Sequence, residues 1–338
     1  MSPKKFDNEE MSKPLVSVVM ATYNGAQYLQ EQVESILSQS YSSIEFIIFD
    51  DCSTDDTVKI LEEYQNQGKL KFFRNVSNCG YVRNFERAIQ EAKGELIALA
   101  DQDDIWAVSK LEQLTQEIGE YLLIHSDARL IDDKGVEIAL SFEKSARKMA
   151  IPQSMTEALL NGFVTGCTCL FKRELLEIAL PFPDQLHIHD KWLGVLAYSK
   201  GGLKYLKEPL TDYRQHINNN IGALQSTVSP FKKIGKLLQG KPVNYQFDAF
   251  RSFLLKEQQF AQLVRERLKL ESRKMSGLLD FFNQVLSGKS LFRVISFYLK
   301  NFRAFEKGKS LSHKVYFLYL ILLCFFYSRG LTSISSPQ

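Results

Sequence analysis

The sequence predicts an α/β protein whose mostly parallel central sheet is flanked by helices and followed by a helical, basic C-terminal region. Three observations support this. Short apolar runs alternate with segments of helical period over the first hundred residues. Clusters rich in aspartate follow these apolar runs. The charge is divided along the chain: residues 1–229 hold 23 Lys and Arg against 33 Asp and Glu, and residues 230–314 hold 18 against 6.

The first two units of the chain share one plan. A valine-rich strand is predicted over residues 16–20, and residues 29–37 follow with apolar side chains at helical spacing. The second unit has a strand over residues 46–49, an acidic loop and a helix, for which Ser53 or Thr54 is the predicted N-cap.

A third strand is predicted over residues 69–75, a third helix over residues 84–94 and a fourth strand over residues 95–100. Alternation of this kind is typical of a parallel sheet with helices on both faces. Ligands of such sheets bind at the carboxyl ends of the strands.

Polar side chains follow the predicted strand ends and should meet at one edge of the sheet. They are Thr22, Tyr23, Asn24, Asp50, Asp51, Asp101, Asp103 and Asp104. No GxGxxG motif follows the first strand, which disfavours a dinucleotide site of the usual kind. An EF-hand starting at Asp101 is also disfavoured, because Trp106 occupies the position that needs glycine. The remaining interpretation is that the carboxylates bind a divalent cation and that this cation binds a diphosphate.

Three ordered motifs carry a family resemblance. "VSVVMATYNG", "IIFDDCSTDDT" and "ALADQDDIW" resemble the nucleotide-diphospho-sugar transferases of the GT-A fold, specifically glycosyltransferase family 2, over residues 14–225. The resemblance implies a DxD motif in which Asp103 ligates Mg²⁺ or Mn²⁺ and Asp101 lies near the ribose or the metal. It implies that Tyr23 stacks near the base and that Asp51 binds the base or ribose. The implied donor-binding residues are Thr22, Tyr23, Asn24, Asp51, Asp101 and Arg214.

Displacement of a diphosphate from an anomeric carbon needs a base to deprotonate the acceptor hydroxyl, and a carboxylate is a common choice. Asp190 in "LHIHDKWLG" matches the family's catalytic aspartate, and the resemblance implies inversion. A helix N-cap is the alternative role for Asp190.

The remaining site residues also rest on the resemblance. Arg214 is expected to pair with a phosphate and His216 to add a nitrogen ligand to the cation, with a surface loop as the alternative. The expected acceptor-side residues are Gly166, Cys167, His189 and Trp192.

The C-terminal region has a different character. Residues 315–327 carry no charge but are too short to span a bilayer, so they are expected to be buried, interfacial or re-entrant. Before them, Leu291, Ile295, Tyr298 and Phe302 recur at helical spacing among basic residues. This pattern is typical of a helix on anionic lipid, with an ordinary packed helix as the alternative. No nucleic-acid module is recognisable.

The sequence therefore predicts a flexible lead-in over residues 1–13, a GT-A domain over residues 14–225 and a helical, membrane-associated region over residues 226–338. The expected function is inverting, metal-dependent sugar transfer from dTDP-L-rhamnose or a UDP-hexose to a lipid-linked saccharide of a bacterial surface polysaccharide. The alternatives are a sugar-1-phosphate nucleotidyltransferase and a non-catalytic sugar-nucleotide-binding membrane scaffold. Five cysteines without a CxxC pair indicate a reduced compartment, and we expect a cytoplasmic protein on the inner face of the cell membrane.

Overall fold

The computed structural model describes residues 13–146, 150–216, 243–270, 273–302, 305 and 311–328. The strands are β1 Val16–Thr22, β2 Ile44–Asp50, β3 Lys71–Arg74, β4 Leu96–Ala100, β5 Ile105–Trp106, β6 Leu123–Ile131, β7 Glu137–Ala139, β8 Cys169–Lys172 and β9 Leu203–Arg214. The helices are α1 Ala26–Leu37, α2 Thr57–Asn66, α3 Tyr81–Glu91, α4 Lys110–Glu117, α5 Phe142–Ala146, α6 Met155–Leu160, α7 Leu176–Ala179, α8 His189–Ser199, α9 Val243–Leu268, α10 Arg273–Ser287, α11 Leu291–Lys300 and α12 Leu311–Ser328.

One sheet organises the molecule, in the order β3-β2-β1-β4-β8-β6-β9-β5, with β7 added to β6. The strands β3, β2, β1 and β4 are parallel, as predicted. Beyond β4 the sheet is mixed, because β8 runs antiparallel to both β4 and β6, and β6 runs parallel to β9. Thr22 lies opposite Asp50 and Met20 lies opposite Ala100, so the loops after β1, β2 and β4 leave the same edge.

Helices cover both faces of the sheet, as predicted. Successive residues of β1 point to opposite sides: Val18 and Met20 pack with α1, α2 and α4, whereas Val19 packs with α3, α6 and α8. This alternation follows from the two-residue period of a strand. The predicted strands and helices of the first hundred residues are confirmed.

The predicted cap of α2 is wrong. This helix begins at Thr57 after Asp56, whose side chain makes no capping hydrogen bond, and Asp55 Oδ1 accepts from Thr57 N at 3.1 Å. Ser53 Oγ instead accepts a hydrogen bond from Asn24 N at 2.8 Å, and Thr54 N donates to Asn24 Oδ1 at 2.8 Å. The two candidate caps therefore tie the loop after β2 to the loop after β1.

The C-terminal helices share one apolar core with α3, α6 and α8. Leu320, Ile321 and Cys324 of α12 are fully buried, which agrees with burial of this apolar segment. No helix among the described residues is long and apolar enough to cross a membrane. Residues 1–12 of the predicted lead-in and the predicted boundary at residues 225 and 226 lie outside the described residues.

The predicted helix α11 forms, and the burial of part of its apolar face agrees with the alternative of an ordinary packed helix. Tyr298, expected to lie on lipid, is buried and packs on Phe305, with ring centroids 5.5 Å apart. Val294 is fully buried on the same face. Phe292 and Leu299 lie on the other side of the helix and are 82% and 63% exposed.

Candidate active site

The loops after β1, β2 and β4 are joined by backbone contacts at the carboxyl edge of the sheet. Gln102, the middle residue of the predicted DxD motif, accepts from Tyr23 N at 2.9 Å and donates to Tyr23 O at 3.2 Å. A Cβ at Gly25 would lie 2.3 Å from Gln102 Oε1, so a side chain there would displace the Gln102 amide from Tyr23. The donor-side loop is thus held by the aspartate-rich loop.

The predicted donor residues after β1 divide into buried and exposed groups. Thr22 is buried and its hydroxyl donates to Asp50 Oδ1 at 3.2 Å. Asn24 adopts a left-handed backbone with φ of 49° while its side chain holds Thr54 N. Tyr23 is 48% exposed. The exposed ring of Tyr23 therefore offers a surface for a stacked base.

Asp51 is buried and anchors the loop between β3 and α3. Its Oδ1 accepts from Asn75 Nδ2 at 2.9 Å and from Cys79 N at 2.8 Å, and its Oδ2 accepts from Gly80 N at 2.8 Å. Both carboxylate oxygens are therefore engaged within the protein. Base or ribose binding by Asp51 stays a prediction.

The end of β9 meets the loop after β4. His216 Nε2 lies 2.8 Å from Asp103 Oδ2, and both side chains are mostly shielded from solvent. Arg214 Nε donates to Asp103 O at 2.8 Å, and Arg214 N donates to Asp104 Oδ1 at 3.1 Å. The structure thus brings together Asp103 and His216, which the sequence assigned to a cation, and Arg214, which it assigned to a phosphate.

Arg214 is buried among protein acceptors. Its guanidinium donates to Glu31 Oε2 at 2.6 Å and lies 4.7 Å from the centroid of the Tyr28 ring. Asp132 O lies within 3.4 Å of the same guanidinium. These contacts hold the end of β9 against α1. Phosphate pairing by Arg214 stays a prediction, and a phosphate would have to share this guanidinium with Glu31.

A second, deeper group lies beneath the loop. The carboxylate oxygens of Asp101 and Asp104 and the Sγ of Cys167 all lie within 4.8 Å of one another. Burial, reinforced by the charge of Asp103, raises the pKa of Asp101 to about 7 and holds the pKa of Asp104 well above its usual range. Burial likewise raises the pKa of the Cys167 thiol, and a protonated thiol is a poor ligand for a hard cation.

The donor atoms of Asp103 and His216 suit Mg²⁺ or Mn²⁺ better than this deeper group, because carboxylate oxygens suit either ion and an imidazole nitrogen is an accepted ligand of transition metals. Among the described residues, Asp101 forms a three-ligand group with Asp104 and Cys167 and not with Asp103 and His216.

Lys110 is a fully buried lysine beside these carboxyl groups. Its ammonium donates to Cys167 O and, at 2.9 Å, to Thr211 Oγ1, and it lies 3.4 Å from the centroid of the Trp106 ring. Burial lowers the pKa of Lys110 to about 7. Lys110 thus joins three segments, those of Trp106, Cys167 and Thr211, and places a cationic group under the acidic loop.

Asp190 lies in the first turn of α8, with Ile188 at the N-cap position. The N-cap alternative is therefore wrong. Asp190 Oδ2 accepts from Gly166 N at 3.2 Å. The charge of Asp190 also contributes to the raised pKa of Asp101, which places the two carboxyl groups within electrostatic reach. Asp190 thus lies near enough to Asp101 for its charge to act on that carboxyl group.

The expected acceptor-side residues do not share one environment. His189 is buried and stacked on Phe85 with ring centroids 4.2 Å apart, and burial lowers its pKa. Gly166 and Cys167 are buried beside Asp190 and Lys110. Trp192 is fully buried and its Nε1 donates to Ala179 O at 3.1 Å. Trp192 therefore belongs to the core and has no exposed surface for an acceptor, contrary to the prediction.

The sequence interpretation missed Gln102, Glu31 and Lys110. For Lys110 a signal existed, because Leu114 follows it at a spacing of four residues and places it on the apolar face of α4. Glu31 carried no local signal, since its partner Arg214 lies 183 residues away.

Comparison with known proteins agrees with this arrangement. Residues 17–178 match the family model of glycosyl transferase family 2. The dTDP-rhamnosyl transferase RfbG of Shigella flexneri is 30% identical over an alignment 230 residues long, which covers 64% of this chain and 78% of RfbG.

Two solved structures have a similar fold. The crystal structure of Staphylococcus aureus TarS residues 1–349 with UDP-GlcNAc gives a TM-score of 0.56 at 20% identity, over 94% of this chain and 84% of that chain. The mannosyltransferase PcManGT of Pyrobaculum calidifontis with GDP-Man and Mn²⁺ gives a TM-score of 0.51 at 17% identity, over 96% and 89% of the two chains. Identities this low establish the fold alone. The family match and the similarity to RfbG show that the chain, which has the GT-A fold, belongs to glycosyltransferase family 2 and is an inverting glycosyltransferase.

Proposed function

We propose that this enzyme uses a divalent cation to transfer a sugar from a nucleoside-diphosphate donor to a lipid-linked saccharide in bacterial surface polysaccharide biosynthesis. The observation that carries the proposal is the 2.8 Å pairing of Asp103 Oδ2 with His216 Nε2 at the carboxyl edge of the sheet. With Asp101, these side chains would hold Mg²⁺ or Mn²⁺. The bound cation would neutralise negative charge on the leaving diphosphate.

Asp190 is the proposed base. Its position in the first turn of α8 places it at the positive end of the helix dipole. Gly166 N holds one carboxylate oxygen at 3.2 Å, which restrains the side-chain orientation. Asp190 would remove the acceptor hydroxyl proton while the diphosphate leaves from the opposite face of the sugar, so that the anomeric configuration inverts.

The donor we propose is dTDP-L-rhamnose or a UDP-hexose. The name of RfbG as a dTDP-rhamnosyl transferase supports the first, and the structure of TarS with UDP-GlcNAc supports the uridine nucleotide. A nucleoside diphosphate that binds the native protein raises its melting temperature. The test is a melting-temperature series with dTDP, UDP, GDP and CDP, each with and without Mn²⁺, on wild type and Asp103→Ala.

We expect dTDP or UDP to raise the melting temperature only when Mn²⁺ is present. In Asp103→Ala this rise in melting temperature should be lost. The absence of any shift with all four nucleotides would contradict the donor site. A shift that Asp103→Ala retains would contradict the assignment of the cation to Asp103.

We also propose that the enzyme binds the inner face of the cell membrane through the outward side of α11. Phe292 and Leu299 are exposed there, and Arg293 and Lys300 border them. Apolar side chains flanked by cationic ones suit an anionic lipid surface. Membrane binding would bring the active site close to a lipid-linked acceptor.

A further inference from the structure

We propose that Glu257 is a positioning residue for Asp190 and acts through Lys191 on the first turn of α8. The proposal rests on the role of Asp190 proposed above. It gives the C-terminal helix α9 a part in catalysis, in addition to any part in membrane binding.

The contact between α9 and α8 is a buried ion pair. Lys191 Nζ lies 2.9 Å from Glu257 Oε2, and the two side chains are only 5% and 12% exposed. The same ammonium lies 4.4 Å from the centroid of the Phe260 ring, also on α9. Removing one member of such a pair leaves a buried charge without its partner, which is strongly unfavourable. Lys191 directly follows Asp190, so the pair fixes the turn that carries the proposed base.

A second contact from α9 holds the segment before α8. The Arg267 guanidinium lies 5.3 Å from the centroid of the Trp192 ring and donates hydrogen bonds to three backbone carbonyl oxygens. The carbonyls belong to Ile178, Leu180 and Pro181, at 3.2, 3.1 and 2.7 Å. Helix α9 therefore contacts α8 on the side of Lys191 and Trp192.

On its other side, the backbone of α8 at Gly194 packs directly against the side chains of residues 163 and 164. A Cβ at Gly194, one helical turn after Asp190, would lie 2.7 Å from Val164 Cγ2. Gly166 N holds Asp190 Oδ2 at 3.2 Å from the same segment. Helix α8 therefore has no room to move towards residues 163–166, and α9 restrains it from moving away.

The rate of a proton transfer depends steeply on sub-ångström placement of the base, and a shift of about 1 Å can lower a rate by roughly 100-fold. Loss of the Glu257 carboxylate should loosen the first turn of α8 while leaving Asp103 and His216 untouched. We therefore expect Glu257→Ala to lower kcat at least tenfold and to leave the donor KM within about twofold.

The experiment compares Glu257→Ala, Glu257→Gln and Val285→Ala. Val285 is fully buried in α10, within the same C-terminal helical region, so its truncation controls for a general loss of stability. Two quantities are measured on the full-length chain. One is hydrogen exchange of the peptide covering residues 187–193, and the other is release of nucleoside diphosphate from dTDP-L-rhamnose or UDP-GlcNAc.

We expect faster hydrogen exchange and a lower kcat in Glu257→Ala. Both changes should be smaller in Glu257→Gln, because glutamine keeps the side-chain shape. Neither change is expected in Val285→Ala. Unchanged exchange and kcat in Glu257→Ala would overturn the proposal. An equal fall of kcat in Val285→Ala, at a matched loss of melting temperature, would also overturn it. Absence of turnover in wild type would contradict the proposed function instead, and the exchange data would still decide whether Glu257 holds α8.

Discussion

His216 Nε2 lies 2.8 Å from Asp103 Oδ2, although 113 residues separate the two in the chain. The fold brings them together because β9 ends beside the loop that follows β4, where Arg214 binds Asp103 O and Asp104 Oδ1. An imidazole and a carboxylate in this arrangement provide two adjacent ligands for one cation.

Asp103→Asn and His216→Ala should each weaken Mn²⁺-dependent binding of a nucleoside diphosphate by roughly tenfold or more. Because both side chains are assigned to one ion, the double variant should lose less than the two single losses combined. Isothermal titration with dTDP or UDP in the presence of Mn²⁺ measures this coupling. Full additivity of the two losses would contradict a shared cation.

The binding of the cation should depend on pH through Asp101. Burial, with the nearby charges of Asp103 and Asp190, raises the pKa of this carboxyl group to about 7. The carboxyl is protonated below that pH and must lose its proton to bind metal, so Mn²⁺ affinity should fall as the pH drops below 7. Titration of Mn²⁺ between pH 6 and pH 8 measures the effect. Asp101→Asn should bind Mn²⁺ more weakly and with a shallower pH dependence, and a dependence as steep as that of wild type would contradict the role of Asp101.

Lys110→Met should destabilise the protein, because Cys167 O and Thr211 Oγ1 lose a buried hydrogen-bond donor. The expected loss in the free energy of unfolding is about 1–3 kcal/mol. Lys204→Met is the matched control: Lys204 pairs with Glu117 at 2.8 Å on the surface, and its loss should cost less than about 1 kcal/mol. Urea denaturation of both variants measures the difference, and equal losses would contradict the role assigned to Lys110.

The double variant Phe292→Ser and Leu299→Ser should lose binding to vesicles that contain anionic lipid. The matched control replaces Val136 and Leu140, which are 60% and 69% exposed at the ends of β7. Co-sedimentation with vesicles, at two salt concentrations, compares the variants with wild type. Equal loss in both double variants, or no loss in either, would contradict membrane binding through α11.

The first hundred residues were predictable because their elements follow local rules. Val16 to Met20 form a short apolar run rich in β-branched residues, which is typical of a buried strand, and Leu29, Val33 and Ile36 show the spacing of a helix, so each element could be identified without knowledge of its neighbours. Adjacent parallel strands then place their carboxyl ends at one edge, which correctly predicted that the loops containing Asp51 and Asp101 lie at the same edge of the sheet.

The rest depended on contacts between distant segments. Neither the antiparallel insertion of β8 between β4 and β6 nor the Arg214–Glu31 pair has a local signature. Ser53 has a side chain suited to capping a helix, but its contact with Asn24 determined its position. Trp192 lies next to a proposed catalytic turn in the sequence, yet the helical geometry and α9 place it in the core.

Asp190→Asn asks whether Asp190 is the base of a metal-dependent inverting transfer. Asparagine keeps the shape of the side chain and can still accept the hydrogen bond from Gly166 N, but it cannot take a proton. We predict that release of nucleoside diphosphate from the donor falls by roughly 100-fold or more, while Mn²⁺-dependent nucleotide affinity stays within about twofold of wild type. Turnover close to wild type in Asp190→Asn, with folding and nucleotide binding intact, would contradict the role of Asp190 as the base.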